Sequence, residues 1–390
     1  MKIKIIKYIL IGAFLFSLAY INKNKIPAPE ELKTFDFIVS SGIDIDLDAG
    51  EFSISYISSE ESEAENDKSN SNKNLFNVKS STMNKTVDKI QSLTNKSLSV
   101  SHLEYILIGE NTAKKNLNYF IDYFSKSSKI RLDVNLFIIK DMSSEDFIKK
   151  ILTSEIDADA RLDGLVNNKN QISSMTKKNL KDIMQVFYST DKTGVMPVLA
   201  IKESPVKNIS SDDNKKEEKK YTFEFYGLGI LKNGELAEYL PYSLVRSYVI
   251  LTKNLKMTDI EIIDENNDLF VFSVSNSKNK ISFKFDEYNI PEKVIFNVNI
   301  DTNLDETTIR DKKIIEKNMD KLNKLQSEKI KSEIEQIIEI SKSTDIDFLN
   351  IGENLSVSHP YKWHDIKDEW QEIFKDIDYE INVSVKGRRK

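Results

Sequence analysis

The amino-acid sequence predicts an α+β protein, a multidomain chain of mixed sheets with packed helices that ends in an antiparallel sheet covered by a long helix. Three observations carry this expectation. Short apolar runs with period-2 alternation recur in both halves of the chain and mark strands. In the first half, segments with apolar residues three and four apart alternate with those runs, so helices pack on a mixed sheet. In the second half, one long helical stripe follows a series of alternating segments.

The N-terminal elements come first. Lys2, Lys4 and Lys7 precede the uncharged run Tyr8 to Ile21. That run is shorter than the roughly 20 residues of a full membrane span, although starting from Ile5 gives a marginal one. Residues 1–22 are therefore read as a retained anchor, with Ile5, Tyr8, Phe14 and Ile21 on the apolar segment. Ser17-Leu18-Ala19 offers the alternative of a cleaved signal peptide. Either reading exports the rest of the chain, because the leading lysines favour the cytoplasmic side.

Two polar tracts punctuate the exported chain. Residues 58–74 read as a solvated insertion loop, and residues 204–220 as a linker between a region at 30–203, of one or two subdomains, and a region at 221–390. In the first region, Ile43, Ile45 and Leu47 alternate with Asp44, Asp46 and Asp48. Phe52, Ile54 and Tyr56 alternate after Ala49-Gly50, which makes a hairpin. A helix is expected over Thr82–Leu93, a buried strand over Tyr105–Gly109, a helix over Leu117–Phe124 and a strand over Val134–Ile139. Ser143-Ser144-Glu145-Asp146 has the polar cap and early acids of a helix start.

The second region predicts strands at 222–231, at 270–274, through Ile281, Phe283 and Phe285, and from Val294 to Ile300. A helix over about 311–342 carries Ile315, Met319, Leu322, Leu325, Ile330, Ile334, Ile337 and Ile338 on one stripe. A second helix after Pro360 presents Trp363, Ile366, Trp370, Ile373 and Phe374. The chain closes on a strand through Ile381, Val383 and Val385.

Composition excludes several chemistries. With 62 acidic and 56 basic residues the formal net charge is -6, which gives no basis for nucleic-acid binding. There is no cysteine, hence no disulfide, thiolate site or lipid-bearing Cys. Asp44, Asp46 and Asp48 mimic the start of a calcium loop, but Ala49 stands at the turn glycine and Ser55 at the bidentate acid. The three are expected on one solvated strand face. Ser101 and His102, adjacent on a strand, would point to opposite faces, so the histidine reads as structural. His359, His364, Asp365 and Asp368 lack a complete ligand set and read as an ordinary amphipathic helix, so no metal is assigned. Gly227-Leu-Gly229 lacks the third glycine of a dinucleotide loop, and no cofactor is expected. Residues 387–390 read as a solvated basic tail.

Several blocks together resemble a known family. Ser101-His102-Leu103 followed by Ile106-Leu-Ile-Gly109-Glu110, then Arg131-Leu-Asp133, resemble motifs of the Ger(x)C family of spore germination proteins. Gly42-Ile-Asp44-Ile-Asp46 is similar to its opening strand, and Gly227 to Gly234 to a later block. Trp363 through Trp370 and Phe374, with the closing strand, are similar to its end. The resemblance implies a non-enzymatic C-subunit of a nutrient-germinant receptor. Such a subunit would sit on the outer face of the inner spore membrane beside integral membrane subunits. It also marks Ser101, His102, Gly109, Glu110, Arg131, Asp133, Gly227, Trp363 and Trp370 as structural or partner-facing. The family's lipobox cysteine is missing here, so an uncleaved helix is the expected substitute. Two alternatives are an exported envelope hydrolase, which would need Glu104, Glu110 or Asp133 to converge in a cleft, and a generic surface adaptor.

Overall fold

A computed structural model describes residues 35–59, 73–93, 97–154, 156–167, 177–189, 192–205, 219–253 and 258–389. The first region opens with β1 (Phe35–Phe37) and the predicted hairpin, β2 (Ser40–Asp46) and β3 (Glu51–Ser59). Their antiparallel register puts Ile43 opposite Ile54 and Ile45 opposite Phe52, so the alternating apolar residues share the buried face. There follow β4 (Lys73–Ser80), α1 (Met83–Leu93), β5 (Ser97–Ser99) and β6 (Tyr105–Gly109). Next come α2 (Glu110–Lys115), α3 (Leu117–Ser125), β7 (Asn135–Ile139), α4 (Ser144–Thr153), α5 (Ala158–Asn167), α6 (Leu180–Tyr188) and β8 (Gly194–Glu203).

Strands β2, β6, β7 and β8 run parallel, and every residue of β6 and β7 is buried. Burial on both faces explains why these two strands read as continuous apolar runs. Alternate residues feed two cores. Ile106, Ile108, Leu136 and Ile138 pack with Ile90, Ala113, Phe120 and Ile183 of α1, α2, α3 and α6. Tyr105, Leu107, Phe137 and Ile139 pack with Phe147, Ile151 and Leu162 of α4 and α5 on the opposite side.

The sheet continues past the polar tract. β9 (Tyr221–Lys232) pairs antiparallel with β8 from Tyr221 opposite Glu203 to Leu231 opposite Gly194, and β10 (Glu235–Pro241) pairs with β9. The strand order is β10-β9-β8-β7-β6-β2-β3-β4. Residues 204–220 therefore connect two neighbouring strands of one sheet. β9 also joins two cores, because Leu231 belongs to the core of the first region while Leu228 and Ile230 belong to that of the second. Gly227 sits where this strand meets β10. Its φ is +149°, and a Cβ there would lie 2.1 Å from the Leu240 carbonyl oxygen, so only glycine allows the approach.

The second region contains α7 (Tyr242–Thr252), β11 (Asp259–Ile263), β12 (Leu269–Phe285) and β13 (Pro291–Thr307). It continues through α8 (Lys312–Lys317), α9 (Met319–Thr344), α10 (Ile351–Ser358), α11 (Pro360–Ile366), α12 (Trp370–Asp376) and β14 (Asp378–Arg389). Leu322, Ile330, Ile334, Ile337 and Ile338 of α9 join Val294, Phe296, Val298 and Ile300 of β13 in one core.

The second region departs from the sequence expectation in several details. The strands expected at 270–274 and 281–285 are one strand, bent at register shifts against β13. The long helix divides at Asn318, whose ψ of 3° interrupts the helical backbone and whose N–H turns back to Ile314 and Ile315. The helix after Pro360 is interrupted by a 3₁₀ turn at Lys367–Glu369. The sheet order is β11-β12-β13-β14, and only its first three strands are antiparallel, since β14 runs parallel to β13. The helices between β13 and β14 form a crossover that returns the chain to the starting end of β13, which makes a parallel partner. Residues 387–389 belong to β14 and are not a free tail; Arg389 lies 3.7 Å from Glu316.

Candidate functional site

The side chains that set the geometry of the first region meet where β2, β6 and β7 end. Asp44 is the centre of this site. Its Oδ1 accepts from the Ser144 amide at 3.0 Å, and its Oδ2 from the Ser144 hydroxyl at 2.7 Å and the Glu145 amide at 3.2 Å. The next amide of α4, that of Asp146, donates to the Ser143 hydroxyl at 3.0 Å. The Ser143 cap was legible in the sequence. The use of Asp44 was not, and its expected place on a solvated face is wrong because α4 packs its N-terminus over β2. Burial pushes the Asp44 carboxyl above its ordinary value, against the opposing pull of its three donors.

Gly109 makes room for this contact. A Cβ on Gly109 would stand 1.9 Å from Asp44 Oδ1 and 3.1 Å from the Ser144 amide nitrogen. Glu110 then begins α2 and accepts from the Asp141 amide and from Lys114, whose ammonium lies 2.5 Å away. Burial alone would raise its carboxyl. The Lys114, Tyr239 and Asp141 groups around it together hold it below its usual range. The β6–α2 turn is thereby fastened to the β7–α4 turn. Thr112 and Asn116 extend the fastening to β2: the Ile45 N–H donates to Thr112 Oγ1 at 2.7 Å, and the Asn116 amide donates to the Ile45 carbonyl at 2.8 Å.

Around these contacts lies an open cleft of about 860 Å³, lined by Asp44, Glu51, Lys79, Glu110, Lys114 and Asp141 among others. Such a crevice, outside the carboxyl ends of parallel strands, is where open α/β sheets bind ligands. Its carboxylates are already engaged. Glu51 and Glu145 face Lys79 at 3.0 and 3.9 Å, Glu110 faces Lys114, and Asp141 lies 2.6 Å from Lys140. The arrangement is suited to holding three turns in fixed relation and to offering a polar, mostly acidic surface.

The remaining motif residues lie elsewhere. Ser101 and His102 are exposed in a turn before β6, so the expectation that they lie on a strand is corrected. Arg131 and Asp133 pair with each other beyond the amino end of β7, 55% and 60% exposed. Glu104 is also at that end of the sheet, and β6 separates it from Glu110 by about 20 Å at strand rise. The convergence of Glu104, Glu110 and Asp133 that hydrolysis would need is not formed. Trp363 and Trp370 lie in the second region with ring centres 5.3 Å apart. Trp370 donates to Asp347, which also accepts from the Ile351 and Gly352 amides, a capping role that sequence reading did not identify. His359 packs against Phe283 and Phe285, and among the described residues no three His, Asp or Glu side chains gather as a metal site. Ile5, Tyr8, Phe14 and Ile21 lie outside the described residues, among which no helix is long and apolar enough to cross a membrane.

Two family models match the chain in succession. Residues 29–201 match the family described as spore germination protein N-terminal domain, and residues 226–390 match spore germination B3/GerAC like, C-terminal. Spore germination protein B3 of Bacillus subtilis (strain 168) is 20% identical over 299 residues, which cover 73% of this chain and 72% of that protein. The crystal structure of the GerBC protein superposes with a TM-score of 0.53 at 15% identity, covering 89% of this chain and 97% of that one.

Proposed function

The chain belongs to the GerAC-like family of spore germination proteins, and from that premise we propose that it is the C-subunit of a nutrient-germinant receptor. In this reading residues 1–22 hold it on the extracytoplasmic face of the inner spore membrane, where it serves integral membrane subunits as a binding and scaffold component. The observation that carries the proposal is the match of both family regions, in order, over nearly the whole exported chain. The site geometry supports a non-enzymatic role. Asp44 and Glu110 are engaged in fastening turns, and Glu110 stands at the opposite end of β6 from Glu104 and Asp133.

Deleting the gene in the spore-forming host tests the role. Nutrient-triggered loss of optical density should fall in the deletion strain and return with the full-length gene. A copy lacking residues 1–22 should leave the protein out of the membrane fraction and fail to restore the response. Wild-type germination to every nutrient in a strain also lacking its paralogues would overturn the assignment.

A further inference from the structure

The two outer strands of the four-stranded sheet are treated differently. At one edge β11 is short, and side chains cover its outward carbonyls: Arg246 donates to the Asp259 oxygen at 2.5 Å and Lys329 to the Glu261 oxygen at 2.7 Å. Natural proteins guard an edge in this manner against pairing with another chain. At the other edge β14 is twelve residues long, has no proline, and keeps an unbroken register with β13.

Among the described residues, the outward main-chain groups of β14 are tied at its two ends. The Gly387 amide donates to Asn323 at 2.8 Å, and the Ile377 carbonyl, just before the strand, accepts from Lys342 at 3.1 Å. Both partners belong to α9, so the odd-numbered residues turn their main-chain groups away from β13. By strand alternation Tyr379, Ile381, Val383 and Val385 do the same. Among the described residues no strand pairs with that side. An open groove of about 760 Å³ lies between α9 and residues 379–382, and one of about 430 Å³ lies between α9, residues 381–384 and residues 297–299 of β13.

The sequence of β14 indicates what fits there. Its first half carries Asp378 and Glu380, its second half Lys386 and Arg388, and Ile381, Val383 and Val385 lie between. Set against a second copy of itself, antiparallel and centred on Val383, Asp378 meets Arg388 and Glu380 meets Lys386. On the other face Ile381 meets Val385, and Val383 meets its own counterpart. The same register places the outward main-chain groups of 381, 383 and 385 opposite one another as hydrogen-bonded pairs. Opposite charges and β-branched pairs directly across strands both favour this register.

We propose that β14 is a homodimerisation edge, through which two copies of this chain join their four-stranded sheets into one. The interface is isologous, with the twofold axis through Val383 perpendicular to the sheet. Both α9 helices then lie on the same face of the joined sheet.

The strand's own charge pattern provides the test, read by light scattering and sedimentation of the purified full-length chain. Asp378→Lys with Glu380→Lys makes the even-numbered face of β14 wholly basic, and Lys386→Glu with Arg388→Glu makes that face wholly acidic. Each double variant should raise the dimer dissociation constant by about tenfold or more, since opposite pairs become like pairs. An equimolar mixture of the two should associate again, as should the quadruple variant, whose charges are merely exchanged. Asp378, Lys386 and Arg388 are exposed, so unchanged thermal unfolding of the variants should show that the fold is intact. The chain has no cysteine, so Val383→Cys reports on this contact alone. It should form a disulfide-linked dimer under mild oxidation, because paired strands bring the two Cα atoms to about 5.5 Å. A chain that stays monomeric up to high micromolar concentration would overturn the proposal. A dimer indifferent to all the charge changes, held by another surface, would overturn it equally.

Discussion

The first region closes its sheet, whereas the second leaves its sheet half open. In the first, β6 and β7 have helices on both faces, and the carboxyl ends of the parallel strands are fastened by Asp44, Glu110, Thr112 and Asn116. In the second, α9 covers one face of the sheet, and among the polar contacts that hold it is an ion pair 15% and 11% exposed. There Arg246 and Ser247 of α7 reach Glu333 of α9. The difference concerns how a buried carboxylate is kept. Asp44 is neutralised by main-chain amides at a helix start, and Glu333 by a cation. A contact made by amides depends on the exact placing of backbone, and one made by a cation depends on its partner remaining.

The contrast can be broken by substitution, and the largest effect is expected at the ion pair. Glu333→Ala leaves Arg246 buried without its partner and should lower stability by about 3–5 kcal/mol, seen in urea unfolding. Gly109→Ala should follow at about 2 kcal/mol, the range for overpacking, because its methyl group occupies the space of Asp44 Oδ1. In an Asp44→Ala background the same change should cost less, and a double-mutant cycle measures that coupling.

Asp44→Asn should cost about 1 kcal/mol, since an amide cannot accept with both of its terminal atoms. The effect of pH sharpens the comparison within the cleft. The fold raises the Asp44 pKa above 3.8, so the stability it contributes is full below that pH and is lost as pH rises through its folded value. The fold lowers the Glu110 pKa below 4.5, so its contribution is present above that pH and is lost as pH falls through its folded value. Unfolding between pH 3 and 6 should therefore show the Asp44→Asn penalty shrinking and the Glu110→Gln penalty growing as pH rises. The smallest effect belongs to Arg131→Ala, whose exposed pair with Asp133 should leave the melting temperature unchanged within error.

Much of this was legible where the signal is local. The alternation of Ile43, Ile45, Phe52 and Ile54 gave the β2–β3 hairpin, and Ser143 gave the start of α4, because each depends on neighbours in the chain. The Asp44–Ser144 contact joins positions a hundred residues apart, and no local pattern announces it. The polar composition of 204–220 marked a connection between two structured segments, yet it could not say that the strands on either side are hydrogen-bonded to each other. Pairing depends on register between distant segments, and so does the parallel direction of β14. The family blocks identified Gly109, Glu110 and Gly227 without giving reasons. Those reasons are the Asp44 carboxylate, the Asp141 amide and the Leu240 carbonyl, all contributed by other strands and turns.

The central structural claim is that the two family regions share one sheet through β8 and β9. Placing a protease site within residues 206–218 and cleaving the folded, full-length protein tests it most directly. The two fragments should co-elute on gel filtration and separate only in denaturant, because the β8–β9 ladder and the two cores that β9 joins through Leu228, Ile230 and Leu231 persist without the connecting tract. Fragments that part in native buffer, each retaining its own cooperative unfolding, would contradict it.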